Sequence, residues 1–270
     1  MALKYRLVAV DLDGTVVNRD GAIVSGAREA VQHLVARGLI VTLATGRMYQ
    51  PSNRFARELD ISAPLICHQG ALIREPGDGE VLWHVPLPPH LALRVIAETR
   101  EERVHQYVYV DDVIYVEEWR EDDLRYAQHN GVELRLVDDL AVLASRQPTE
   151  IAARGEAADI DLLVGRIRTT IGTEVMVNKV HASFCEIAHA MSGKGNALKY
   201  LADRLGIPQS QTVAIGDSHN DISMLEWAGL GIAVGNAPAE VRASADWVID
   251  CGAEESFLQA MDQLLDRGEL

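Results

Sequence analysis

Two carboxylates, Asp11 and Asp13, stand two positions apart in the string Asp11-Leu12-Asp13-Gly14-Thr15. One carboxylate can attack a phosphorus centre and form an aspartyl-phosphate. A second must then protonate the leaving oxygen and later take a proton from the attacking water. Asp11 and Asp13 supply those two roles, provided that Asp13 holds a proton at neutral pH, which neighbouring carboxylates and a substrate phosphate favour. Taken alone, the string is also an ordinary Asp-Gly turn after a strand. It does not open a calcium loop: counted from Asp11, Val16 stands where such a loop needs Gly and Ala22 where it needs Glu.

Further polar stations follow. Ala44-Thr45-Gly46-Arg47 offers a hydroxyl, a backbone amide freed by glycine and a guanidinium, a trio suited to an anion, although Thr-Gly-Arg is also a common loop. Ser192-Gly193-Lys194-Gly195 puts a lysine at the start of a helix. The dipole there disfavours a cation and favours an anionic neighbour for it, the alternative being a solvated surface lysine. The surrounding glycines are too few for a P-loop. Gly216-Asp217-Ser218-His219-Asn220-Asp221 is rich in oxygen ligands, although Asp221 can also simply begin the helix containing Ile222, Met224 and Leu225. His219 has no His or Cys at metal spacing and reads as a solvated loop residue.

Bringing Asp11, Asp13, Asp217 and Asp221 together concentrates negative charge. Two such carboxylates about 4 Å apart repel by roughly 4 kcal/mol at an effective dielectric of about 20. Lys194 and Arg47 cannot balance all four and a phosphate dianion as well. A hard divalent cation bound by oxygen can, which points to Mg²⁺; zinc would call for His or Cys.

The elements around these residues explain why they should meet. The apolar run at 7–10 reads as a buried strand that ends at Asp11. A helix follows, with Ser25 as its expected cap and apolar residues at helical spacing from Ala27 to Val35, and then a second strand at 39–44. Strand, helix, strand is the pattern of a parallel sheet. The pattern returns near the end, where a helix closed by Gly206 precedes strands at 212–215, 230–234 and 247–249, a short helix at 239–243 and a last helix from about Glu254. All the stations then lie at strand ends of one sheet, where open α/β sheets bind their ligands. Between about 83 and 186 the pattern changes to hairpin alternation, as in 108–116, with helical stretches at 89–103, 120–129 and 156–171. That segment reads as an inserted α+β unit, entered near Pro86-Leu87-Pro88-Pro89. Asn178, Lys179 and His181 form a polar break that reads as a solvated loop.

The stations, in this order, resemble the haloacid dehalogenase superfamily: Asp-x-Asp-Gly-Thr, Thr-Gly-Arg, Lys, then Gly-Asp-Ser-x-Asn-Asp. The long insertion, with Lys-Gly-x-Ala-Leu at 194–198 and Asn-Asp-x-x-Met-Leu at 220–225, is similar to the Cof-type sugar-phosphate phosphatase branch. The resemblance implies a Rossmann-like parallel-sheet core, 1–82 plus 187–270, with an α+β cap domain inserted at 83–186. It implies Asp11 as nucleophile, Asp13 as acid and base, and Thr45, Gly46 and Lys194 on the phosphate. It also implies Mg²⁺ on Asp11, the Asp13 backbone carbonyl and Asp217, with Asn220 and Asp221 supporting that loop. Asp13 separates the chain from the dehalogenases, which lack it, and from P-type ATPases, which carry Thr there. Gln69-Gly70-Ala71 stands where the branch usually has Asn-Gly-Ala, and His189-Ala190-Met191 where it usually has Pro-Lys-Gly.

Composition sets the outer bounds. The chain has 270 residues, 48% hydrophobic and 24% charged, enough for one large or two smaller globular units. A net charge of -15 without a Lys/Arg-rich run argues against nucleic acid. No apolar run is long enough for a membrane span, and no signal-peptide core precedes Asp11, so a cytoplasmic protein is expected. Cys67, Cys185 and Cys251 are scattered and odd in number, as expected of buried reduced thiols. The partner expected is a small phosphorylated metabolite, hydrolysed at phosphorus. A phosphohexomutase-like transferase and a non-catalytic phospho-ligand binding module are the alternatives.

Overall fold

The computed structural model describes residues 4–18, 20–102, 104–235, 237–249 and 253–266. Its contacts divide the chain into two compact units, Met1–Trp83 with Gly193–Leu270, and His84–Ser192. In chain order the elements are β1 (Leu7–Val10), α1 (Ala27–Ala36), β2 (Ile40–Leu43), α2 (Tyr49–Glu58), β3 (Leu65–Cys67), β4 (Leu72–Arg74) and β5 (Val81–His84). Next come α3 (Pro89–Glu101), β6 (His105–Val110), β7 (Val113–Val116), α4 (Glu121–Asn130), β8 (Glu133–Leu136), β9 (Glu150–Arg154), α5 (Ala157–Thr170), β10 (Val175–His181) and β11 (Phe184–His189). The last stretch holds α6 (Lys194–Arg204), β12 (Thr212–Gly216), α7 (Ile222–Trp227), β13 (Leu230–Val234), α8 (Ala239–Ala243), β14 (Trp247–Ile249) and α9 (Ala253–Asp266).

The first unit is built on a parallel sheet in the order β14-β13-β12-β1-β2. Its strands are apolar without alternation because both faces are covered. Leu7 and Ala9 of β1 pack with Leu198 and Leu201 of α6, while Val8 and Val10 pack with Val31 and Leu34 of α1 and Phe257 and Met261 of α9. The chain leaves β1 to one side for β2 and returns on the other side as β12, so the strand order reverses at β1. The carboxyl end at such a reversal is where open α/β sheets place ligands, and Asp11 is the residue that follows β1. Gly26, not Ser25, stands at the N-cap of α1, in a left-handed conformation without a side-chain cap.

The second unit has its own core. Its sheet runs β10-β11-β9-β6-β7-β8, antiparallel throughout except for the β7–β8 pair. Leu91 and Val95 of α3 and Leu163 and Ile167 of α5 cover Val108, Ile151 and Ile187 on one sheet face. The β6–β7 hairpin turns on Asp111 and Asp112, whose φ values of 50° and 62° give the primed turn that matches strand twist. The segment of Asn178, Lys179 and His181 is no loop: it is the outer half of β10, an edge strand bonded along β11. The position 186/187 falls inside β11, which ladders with both β9 and β10. Cys67 and Cys185 are buried, and Cys251 lies outside the described residues. No helix among the described residues is long and apolar enough to cross a membrane.

Candidate active site

Asp11 leaves the end of β1 with its N–H donating to the Ile215 carbonyl of β12 at 2.8 Å, and its side chain is buried. Lys194, the first residue of α6, is fully buried and reaches two carboxylates: its Nζ lies 2.5 Å from Asp11 Oδ1 and 2.6 Å from Asp221 Oδ1. An ammonium at a helix N-terminus is disfavoured by the helix, and here the two anions are its compensation. Asp221 uses its other oxygen to accept the N–H groups of Asp217 at 3.1 Å and Ser218 at 3.0 Å, which folds the 217–221 loop around it. Gly14 has φ +89°, and a Cβ there would meet Asp217 Oδ2 at 2.3 Å, so the turn after Asp13 can lie against Asp217 only because it carries no side chain.

Carboxylate oxygens of Asp11, Asp217 and Asp221 lie within 4.8 Å of one another. Three carboxylates against one ammonium leave an excess of negative charge out of water. Burial pushes the Asp11 carboxyl well above the usual range, with Asp221 and Asp217 adding to it and Lys194 opposing it. Asp217 is pushed up to about 7 by burial and then by Asp221. Burial would lower the Lys194 ammonium, but Asp11 and Asp221 outweigh it and hold it up. Asp11 Oδ2 and Asp217 Oδ1 are buried with no hydrogen-bond partner among the described residues. Acceptors orphaned in this way, all oxygen and clustered around excess negative charge, fit a hard divalent cation.

A stability prediction follows from Asp217. Its carboxyl takes up a proton near pH 7 in the metal-free folded chain and near the ordinary 3.8 when unfolded. Between those values the folded state binds more protons, so metal-free stability falls as the pH rises through that window. The expected loss is on the order of 2 kcal/mol, or roughly 5 °C in Tm, between about pH 5 and pH 8. Asp217→Asn should make the profile less steep, the remaining slope coming from Asp11 and Glu150, whose carboxyls burial also raises. Equal slopes for the two proteins in thermal melts over this range would contradict the assignment.

The anion-binding side is arranged differently from the sequence expectation. Thr45 is buried and its Oγ1 accepts the Arg47 N–H at 3.1 Å. Arg47 does not stand open to an anion: it forks onto Asp13, Nε to Oδ2 at 2.8 Å and Nη2 to Oδ1 at 2.5 Å. Asp13 is thus held apart from the buried trio, with its side chain about half exposed, yet near enough to push Asp217 upward. Asn220 accepts from Ser218 Oγ at 2.6 Å and donates to Gln69 Oε1 at 2.9 Å. Sequence reasoning gave Gln69 no role. Its signal was the short apolar run of β3 ending in His68-Gln69-Gly70, the same strand-then-polar-turn pattern as the other stations. His219 is exposed and pairs with Glu240 at 2.7 Å, outside the carboxylate group.

A buried lysine between aspartates thus stands at the switch point of a parallel α/β sheet, where such sheets place their ligands. The model of the haloacid dehalogenase-like hydrolases matches residues 8–261, and the chain belongs to that family. It is a phosphoric monoester hydrolase. The chain is 26% identical over 252 residues to the 5-amino-6-(5-phospho-D-ribitylamino)uracil phosphatase YitU of Bacillus subtilis, covering 91% of this chain and 92% of the relative. It is 28% identical over 272 residues to the pyridoxal phosphate phosphatase YbhA of Escherichia coli, covering 94% and 96%. The crystal structure of a haloacid dehalogenase-like hydrolase from Bacteroides thetaiotaomicron shares the fold, with a TM-score of 0.86 at 24% identity over 97% of this chain and all of the other.

Proposed function

We propose that this chain is a Mg²⁺-dependent phosphatase of small phosphorylated metabolites, acting in the cytoplasm through an aspartyl-phosphate on Asp11. The observation that carries the reading is the pair of orphaned carboxylate oxygens, on Asp11 and Asp217, beside a fully buried Lys194. Asp11, the backbone carbonyl of Asp13 and Asp217 would hold the cation, with Asn220 and Asp221 supporting their loop. When bound, it would neutralise the excess charge of the aspartates and of the phosphate. Thr45, Gly46 and Lys194 hold the phosphoryl oxygens. An Asp11 oxygen attacks phosphorus, the bond to the leaving oxygen breaks, and Asp13 gives that oxygen its proton. Asp13 then takes a proton from water as the water attacks the aspartyl-phosphate, which releases phosphate and restores Asp11. Arg47 orients Asp13 through its two-pronged contact and must yield an oxygen as Asp13 works.

In this reading the unit of Met1–Trp83 and Gly193–Leu270 is the catalytic core, and His84–Ser192 is a cap that selects the leaving group. The two curated relatives named above act on phosphate esters of a ribitylaminouracil and of pyridoxal. Esters of that kind, together with sugar phosphates, flavin mononucleotide and phosphoglycolate, form the panel to assay with Mg²⁺ and with EDTA. Phosphate release that requires Mg²⁺ is expected from at least one. Release undiminished in EDTA would overturn the metal dependence, and isomer formation without phosphate would overturn hydrolysis.

A further inference from the structure

Residues 68–70 follow β3, which meets the end of β2 through a parallel bridge between Ala44 and Ile66. They therefore emerge beside Thr45, Gly46 and Arg47. His68, Gln69 and Gly70 have φ values of 50°, 54° and 88°, a left-handed run that L side chains rarely adopt. Both His68 and Gln69 are buried, and the turn is fastened by its backbone: the His68 N–H donates to the Arg47 carbonyl at 3.0 Å and the Gln69 N–H to that of Thr45 at 3.2 Å. Such a conformation persists only where its surroundings over-determine it.

The Gln69 carboxamide is aimed between two loops. On one side Oε1 accepts from Asn220, the neighbour of Asp221 in the acidic loop. On the other, a Cβ on Gly46 would sit 2.1 Å from Gln69 Nε2, so Gly46 is the residue that lets the amide lie against the anion loop. We infer that Gln69 is a positioning residue that ties the 45–46 loop to the 217–221 loop, so that a divalent cation on one and a phosphate oxyanion on the other strengthen each other's binding. This rests on the phosphatase reading above. A tie of this kind is reciprocal: each ligand tightens the other by the same factor.

The test is calorimetric titration of the whole protein with MgCl₂ and with inorganic phosphate, each alone and in the presence of the other. Wild type should show mutual tightening of at least about 5-fold. Gln69→Gly should cut that factor by at least about 3-fold, leaving only the direct attraction of cation and phosphate, while the protein still melts cooperatively, because glycine takes the left-handed conformation freely. Full coupling in Gln69→Gly, or none in wild type, would overturn the inference. Gln69→Glu provides a second check: it keeps the acceptor for Asn220 but sets a carboxylate beside Gly46. It should weaken phosphate about 10-fold and leave Mg²⁺ affinity within about 3-fold; unchanged phosphate affinity would also overturn the role. The metabolite panel separates this from the parent reading. Turnover without coupling rejects only the role of Gln69. Coupling that falls in Gln69→Gly upholds that role even if no ester in the panel is hydrolysed.

Discussion

Replacing Asp11 by Asn is expected to lower phosphate release by about 1,000-fold or more while the protein remains folded. The amide is nearly isosteric but cannot act as the nucleophile, and removing a nucleophile costs rate factors of this size or larger. The fold has little to lose. Lys194 keeps Asp221 as its anionic partner, and an amide oxygen can still accept at the position of Asp11 Oδ1. One charge also leaves a site where burial and Asp221 already work against the ionised form of Asp11. Phosphate release and a metal-free thermal melt together check this. A Tm that collapsed along with activity would mean that Asp11 serves the fold first.

Lys194→Met is expected to damage both stability and turnover. The ammonium is fully buried, with Asp11 and Asp221 at 2.5 and 2.6 Å. Removing it leaves buried carboxylates without their counter-charge, an effect of about 3–5 kcal/mol, or roughly 10 °C in Tm. Added Mg²⁺ should return part of that loss by ligand linkage, and by more than in wild type, because the cation then replaces the lost ammonium beside Asp11 and Asp221. Calorimetric melts with and without MgCl₂ measure both quantities. A variant as stable as wild type without metal would contradict the charge balance described for the site.

Much of this arrangement is legible in the sequence, because parallel strands buried on both faces are short apolar runs and each ends abruptly in polar residues. Leu7–Val10 before Asp11 and Thr212–Gly216 before Asp217 are of that kind. The burial of Lys194 is less legible. Its place at a helix start is visible, but its two carboxylate partners lie 183 and 27 residues away in sequence. Arg47 reads as an anion-binding cation until the fold brings Asp13 within reach of its guanidinium. Gln69 is legible as a departure from Asn-Gly-Ala, but its place between two loops is not, because β3 has only three residues and neither His nor Gln signals a left-handed turn. β10 hides for another reason. As an edge strand with an exposed outer end it carries polar residues that resemble a loop.

The central claim is that the phosphoryl group passes through Asp11. Its most direct measurement is acid quench of the enzyme during turnover of a hydrolysed ester, followed by mass spectrometry of its peptides. The account predicts an added phosphoryl group on the peptide containing Asp11, absent from Asp11→Asn. A phosphoryl group on any other residue, or undiminished phosphate release by Asp11→Asn, would contradict it.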